Sequence, residues 1–305
     1  MEQVLHLFVM LFSVGLYAVA MIGGVLGSIL ATLAPFVLFM GLFLMGINQG
    51  QSRRKKRREL LVDQLGLVAD RYGFSGILEG ASVRLQERST GSGKQRRYYT
   101  DFSARTGVSG LVLNSQSSFF AARDVTVGDP PFDETFRTYC GPEGLGWLGA
   151  DVRYALRALR REGFVAHKDG VLTLILSGQS HSAEACERLL RLVAQVSVAM
   201  QQGGDLVQQV QDEPEANVRW RMLEALGQQD VVAAKIEARR LLQSDSDPTV
   251  RLQAALLLRH EAALLEGIRS DRADPTLRSA AASTLSGGAR CVAVEALARD
   301  SMLWV

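Results

Sequence analysis

Cysteine is scarce. The 305 residues hold three thiols, Cys140, Cys186 and Cys291, far apart and without a CxxC. An odd, scattered set excludes a disulfide framework and suits a reducing compartment. The four histidines (His6, His167, His181 and His260) lack metal-ligand spacing, so neither a metal nor a cofactor is expected. A spread of basic charge is missing too. The net charge is +2, and setting aside Glu2 and the six cations of residues 53–58 leaves −3 for residues 59–305. A nucleic-acid-binding protein lays Lys and Arg over a docking face, so nucleic acid is not an expected partner.

Charge is rarest at the N-terminus, where Glu2 alone is charged among residues 1–50. The uncharged run from 4 to 47 would measure about 66 Å as one helix, twice a hydrocarbon core of about 30 Å. It must therefore fold back, and the glycines of Gly23-Gly24-Val25-Leu26-Gly27-Ser28 mark the place. This predicts a transmembrane hairpin over residues 1–52 with spans at about 4–22 and 29–47. The basic run Arg53-Arg54-Lys55-Lys56-Arg57-Arg58 follows at once. It fixes the adjoining end on the cytoplasmic side and attracts anionic membrane lipids at about 1 kcal/mol per cation. The expectation is a multi-pass protein of the bacterial inner (cytoplasmic) membrane with both termini in the cytoplasm.

Residues 59–203 read as an α+β domain. A helical stripe covers 59–73, strand-like runs cover 82–88, 98–104, 111–114 and 119–127, and 132–139 reads as a further strand. A helix over 151–161 leads to a hairpin on Asp169-Gly170, and an amphipathic helix covers 183–201. Four chemical patterns arise here, and the first three fail. Gly91-Ser92-Gly93-Lys94 resembles the end of a P-loop, but Arg88 stands where the first glycine belongs and Gln95 where Ser or Thr belongs. Gly178-Gln179-Ser180-His181-Ser182 lacks the last glycine of a nucleophile elbow. Asp124, Asp129, Asp133 and Glu134 form an acidic cluster, which Pro130 and Pro131 mark as a strand-entry turn. The fourth is residues 151–176, with Arg153, Arg157, Arg160 and Arg161 on a helix before a wing-like hairpin. A winged helix needs two more helices upstream, where the chain offers a strand and a glycine loop.

Residues 212–305 repeat. Glu213-Pro214-Glu215-Ala216-Asn217-Val218-Arg219 aligns with Ser246-Asp247-Pro248-Thr249-Val250-Arg251 and with Ala273-Asp274-Pro275-Thr276-Leu277-Arg278. In the second and third segments Asp caps the first helix of the pair and Pro opens it, and alanines let helix pairs stack closely. Second helices are expected near 230–243, 261–269 and 289–300. These motifs resemble the short HEAT-like repeat family, whose signature is Asp-x-x-Val-Arg-x-x-Ala-Ala-x-x-Leu. The second repeat matches best, whereas the first has Leu223 and Glu224 where alanines are expected and no clear cap at Glu213. The resemblance implies an all-α repeat solenoid that scaffolds a partner. Some relatives attach bilin pigments, a use that nothing here singles out.

The middle region also resembles an uncharacterised bacterial membrane-proximal α+β domain. Leu78-Glu79-Gly80, Gly110-Leu111-Val112-Leu113, Gly128-Asp129, Phe132-Asp133, Phe136 and Asp169-Gly170 carry that resemblance, and it implies no activity.

The reading is a membrane-anchored cytoplasmic adaptor that binds a partner protein through its repeats and α+β domain. The alternatives are an enzyme or ligand sensor with a pocket in the α+β domain, and a membrane-tethered DNA-binding regulator using 151–176. No catalytic residues are assigned, and a homo-oligomer or membrane complex stays open.

Overall fold

The computed structural model describes residues 10, 13–14, 35, 38–42, 55–56, 58–115, 125–178 and 181–302. The chain divides into two compact units, Met1–Leu60 and Leu61–Val305.

In the first unit the described residues are helical, with the Ser13 hydroxyl donating to the Met10 carbonyl at 3.0 Å. The expected spans at 4–22 and 29–47 lie mostly outside the described residues. Among the described residues no helix is long and apolar enough to cross a membrane. The transmembrane hairpin is therefore corrected, and with it the multi-pass inner-membrane location and the cytoplasmic placement of the termini. The physical reason is that an uncharged run can lower the cost of entering lipid without forming a helix of spanning length. Low charge shows only that transfer to lipid would be cheap. Of the basic run, Lys55, Lys56 and Arg58 are helical and exposed, whereas Arg53, Arg54 and Arg57 lie outside the described residues.

A π-helical turn, Glu59–Gln64, runs across the boundary into the second unit. The helix expected to 73 stops there. Gly66 turns the chain at φ +67°, the Leu67 amide donates to the Leu61 carbonyl, and both leucines are buried. Strands β1 (Val68–Ala69), β2 (Gly73–Leu78), β3 (Ala81–Thr90), β4 (Arg97–Arg105) and β5 (Val112–Asn114) follow. Residues 132–139, expected as one strand, divide into a short helix α1 (Pro130–Asp133) and strand β6 (Arg137–Tyr139). Strands β7 (Phe164–Lys168) and β8 (Val171–Ser177) complete an eight-stranded antiparallel sheet in the order β1-β2-β3-β4-β8-β7-β5-β6. Asp169 (φ +52°) and Gly170 (φ +73°) close β7 on β8 as a two-residue turn of the left-handed kind that hairpins favour.

Helices α2 (Ala150–Glu162) and α3 (Ala183–Gln202) cover one face of the sheet. The register lines up Leu85, Phe102, Leu174 and Val165 across four strands, all buried. Burying each such side chain is worth about 1.5–3 kcal/mol. The next row is Val83, Ala104, Leu172, His167 and Leu113.

His167 is thus a core residue. Its Nδ1 lies 2.7 Å from the Leu111 carbonyl, which can only accept, so Nδ1 carries the proton. Nε2 then accepts from the Thr106 hydroxyl at 2.8 Å. Burial pushes the pKa below the ordinary 6.5, outweighing the Leu111 carbonyl and Asp169. The folded state therefore prefers the neutral ring. His167 stabilises fully above pH 6.5, and that contribution falls away as the pH drops below it. The urea midpoint is expected to fall between pH 7 and pH 5, and His167→Gln should shrink the fall. An identical pH dependence in parent and variant would refute this.

The C-terminal part is helical. Helix α4 (Leu206–Asp212) leads into three helix pairs: α5 (Ala216–Gln229) with α6 (Val231–Ser244), α7 (Pro248–Leu258) with α8 (Glu261–Ile268), and α9 (Pro275–Thr284) with α10 (Gly287–Met302). Asp247 caps α7 by accepting from the Thr249 and Val250 amides, and Asp274 caps α9 by accepting from the Leu277 amide. Pro248 and Pro275 take each first turn, where the missing amide has no partner to lose. Leu252, Ala255, Leu264, Ile268, Ala281 and Ala282 share one core between the second and third pairs.

Candidate functional site

Arg153 is among the largest fully buried side chains of the described residues. Gly149 and Ala150 start α2, and Arg153 follows in its first turn. Its Nε donates to Asp129 Oδ2 at 2.8 Å, and Nη1 donates to the Leu148 carbonyl at 2.8 Å. Nη1 and Nη2 donate to the two oxygens of Glu213 at 2.8 and 2.9 Å. Both acids are buried, and their hydrogen bonds hold the guanidinium charged, outweighing the cost of its burial. A planar fork suits this bidentate geometry. Asp129 also accepts from the Phe132 amide as the cap of α1.

The same arrangement recurs along the helix pairs. Glu213 Oε1 accepts from the Glu215 amide at 3.1 Å, and Asp245 Oδ1 accepts from the Asp247 amide at 2.9 Å. Arg219 donates from Nη1 to the Glu213 and Pro214 carbonyls, and from Nε and Nη2 to Asp245 at 2.7 and 3.1 Å. Arg251 repeats the first half, donating from Nη1 to the Asp245 and Ser246 carbonyls. The result is a ladder running Asp129, Arg153, Glu213, Arg219, Asp245, Arg251. In it, Arg153 of the sheet region does for Glu213 what Arg219 does for Asp245. Arg278 differs, with Nε donating to the Ile268 carbonyl at 2.7 Å.

Along this seam lies a groove of about 540 Å³. Thr126, Gly128, Asp133, Glu134 and Arg137 line it from the sheet region. Asn217, Trp220, Arg221 and Asp274 line it from the helix pairs. Gly128 (φ +96°) is pressed so near α5 that a Cβ there would sit 2.5 Å from the Asn217 carbonyl oxygen. The Arg221 guanidinium lies 4.4 Å over the Trp220 ring. The groove is lined by groups of both charges beside an aromatic–arginine stack, unlike a mostly apolar ligand pocket.

The other sequence patterns resolve as follows. Val218, Val250 and Leu277 are buried core residues of their helix pairs. Residues 91–94 join β3 to β4, strand to strand, through a 3-10 turn. Of 178–182, Gln179 and Ser180 lie outside the described residues, and Ser182 caps α3. Asp124 lies outside the described residues as well. Asp133 accepts from the Val127 and Gly128 amides, so Asp129 and Asp133 both spend their oxygens on protein donors. Of the winged-helix arginines, Arg153 is buried between acids and Arg157 lies 3.7 Å from Asp129, which leaves Arg160 and Arg161 on the outer side. The Cys140 thiol is pushed up to about 11 by burial and by Glu143, which leaves almost no thiolate at neutral pH.

Sequence reasoning missed Arg153, Glu213 and Asp245 as a set. The 32-residue register that pairs Val218 with Val250 also pairs Glu213 with Asp245, and that signal was open to reading. Compared with known proteins, the chain matches no family model, no curated protein and no solved structure.

Proposed function

We propose that this chain is an adaptor that binds a partner protein in the groove between residues 126–137 and the first helix pair. The ladder supports this reading most directly, because it ties the sheet region and the helix pairs into one compact unit with a groove lined from both sides. The helical repetition fits as well, since stacked pairs serve as extended binding surfaces and bring no chemistry of their own. His167 and Cys140, whose pKa values burial displaces, lie outside the groove lining.

The reading is tested by placing a photoreactive amino acid at Glu134, at Asn217 or at Lys168, all exposed. The same partner should be captured from Glu134 and from Asn217, on opposite walls, and not from Lys168 on the β7–β8 turn. Equal capture from Lys168, or none from either wall, would sink the reading.

A further inference from the structure

The ladder stops where its pattern demands another acid. Six residues before Arg219 stands Glu213, and six before Arg251 stands Asp245. Six before Arg278 stands Arg272. Each of the first two acids receives a two-pronged guanidinium from the preceding rung, Arg153 for Glu213 and Arg219 for Asp245. Arg251 is the next guanidinium in line, and the corresponding position before the third pair carries a residue of its own sign. Its Nη1 is engaged by the Asp245 and Ser246 carbonyls, and among the described residues no carboxylate pairs with it. Asp271, next to Arg272, is exposed and makes no ion pair with Arg251.

The third pair is in register with the second all the same. The Asp274 amide, equivalent to the Glu215 and Asp247 amides, donates to Thr249 Oγ1 at 3.1 Å. A hydroxyl from the neighbouring pair has taken over the backbone duty of the missing acid. Its charge duty has no such substitute.

We propose that Arg251, with Arg272 at the place of the absent acid, is a docking point for a carboxylate supplied by the partner protein. This deepens the adaptor reading and rests on it. Two arginines at corresponding register positions, neither in an ion pair among the described residues, select an acidic group by charge, and a guanidinium fork whose Nη1 is held by backbone carbonyls selects it by shape. The site adjoins the groove, because Asp274 lines that groove two residues after Arg272. The carboxylate is either a side chain or a chain terminus, since both present the same two oxygens.

The test uses the full chain and a dye-labelled triglutamate peptide blocked at both ends, read by fluorescence anisotropy. A blocked triglutamine peptide is the control, and triglutamine with a free C-terminus reports a terminal carboxylate. The parent should bind at least one carboxylate probe over the control. Arg272→Asp, which supplies the missing rung, should weaken that probe by about tenfold or more. It should also raise Tm by about 2–4 °C, a gain that Arg251→Gln abolishes. No preference of the parent for either carboxylate probe over the control overturns the proposal. So does unchanged binding in Arg272→Asp, or a fall in its Tm. Loss of photocapture at Glu134 and Asn217 with intact probe binding would instead remove the groove reading and leave the carboxylate site standing.

Discussion

Glu213→Ala should lower the free energy of unfolding by about 3–5 kcal/mol, read as a drop in the urea midpoint. The substitution removes the acid that meets two prongs of Arg153 and leaves that guanidinium buried with Asp129 and one carbonyl. An arginine cannot shed its proton to escape, and this one is held charged by the acids around it. The Glu215 amide loses its acceptor at the same time. The magnitude measures breakage, not the worth of the network. Buried charges are costly to bring out of water, and apolar substitutes of similar size often serve as well. The triple variant Asp129→Asn, Arg153→Met, Glu213→Leu should accordingly stay within about 2 kcal/mol of the parent. A single substitution that costs under 1 kcal/mol, or a triple variant as damaged as the single, would show that the network does not join the two regions.

Gly128→Ala comes second, with an expected loss of about 2–5 kcal/mol. Two effects add there, and Gly80 separates them. Both glycines sit at positive φ, +96° and +87°. A side chain in that region costs about 1–2 kcal/mol wherever it occurs. Around Gly80 nothing lies within 4 Å of an added Cβ, so Gly80→Ala should show that term alone. At Gly128 the methyl meets the Asn217 carbonyl oxygen at 2.5 Å and its carbon at 2.8 Å. Backbone of α5 cannot swing aside as a side chain would, so overpacking adds a further 1–3 kcal/mol or so. Equal losses for the two variants would mean that the sheet region does not press on α5.

The helix pairs were legible because their signals are local. An Asp cap, a Pro at the next position and alanines spaced along one face state where a helix begins and what it packs against. The α2, β7, β8 and α3 boundaries were readable for the same reason, with Asp169-Gly170 naming its own turn. Strand β2 was missed because Gly73 and Gly76 make GFSGIL look like a loop. They are small for packing reasons: a Cβ on Gly73 would strike the Leu85 carbonyl, and one on Gly76 would strike Leu67. Asp129-Pro130-Pro131 was taken as a strand entry, although it is the same cap-and-proline start as Asp247-Pro248. Helix α4 was passed over with its own cap, Asp205, in view. The N-terminal hairpin was inferred from an uncharged run, a glycine cluster and an adjoining basic run, which give a transfer cost and an orientation but do not by themselves form a helix. The link from Arg153 to Glu213 spans 60 residues and two kinds of structure, so no window of sequence contains it.

Because Arg153 fills the place that an earlier repeat's arginine would hold, the array has a polarity of growth. A duplicated helix pair inserted before Glu213 would part that acid from its cation and break the joint with the sheet. The same pair inserted after α8, bringing an acid of its own, would simply add a rung. Lineages that lengthen this arm should do so at the far end and keep the first pair intact.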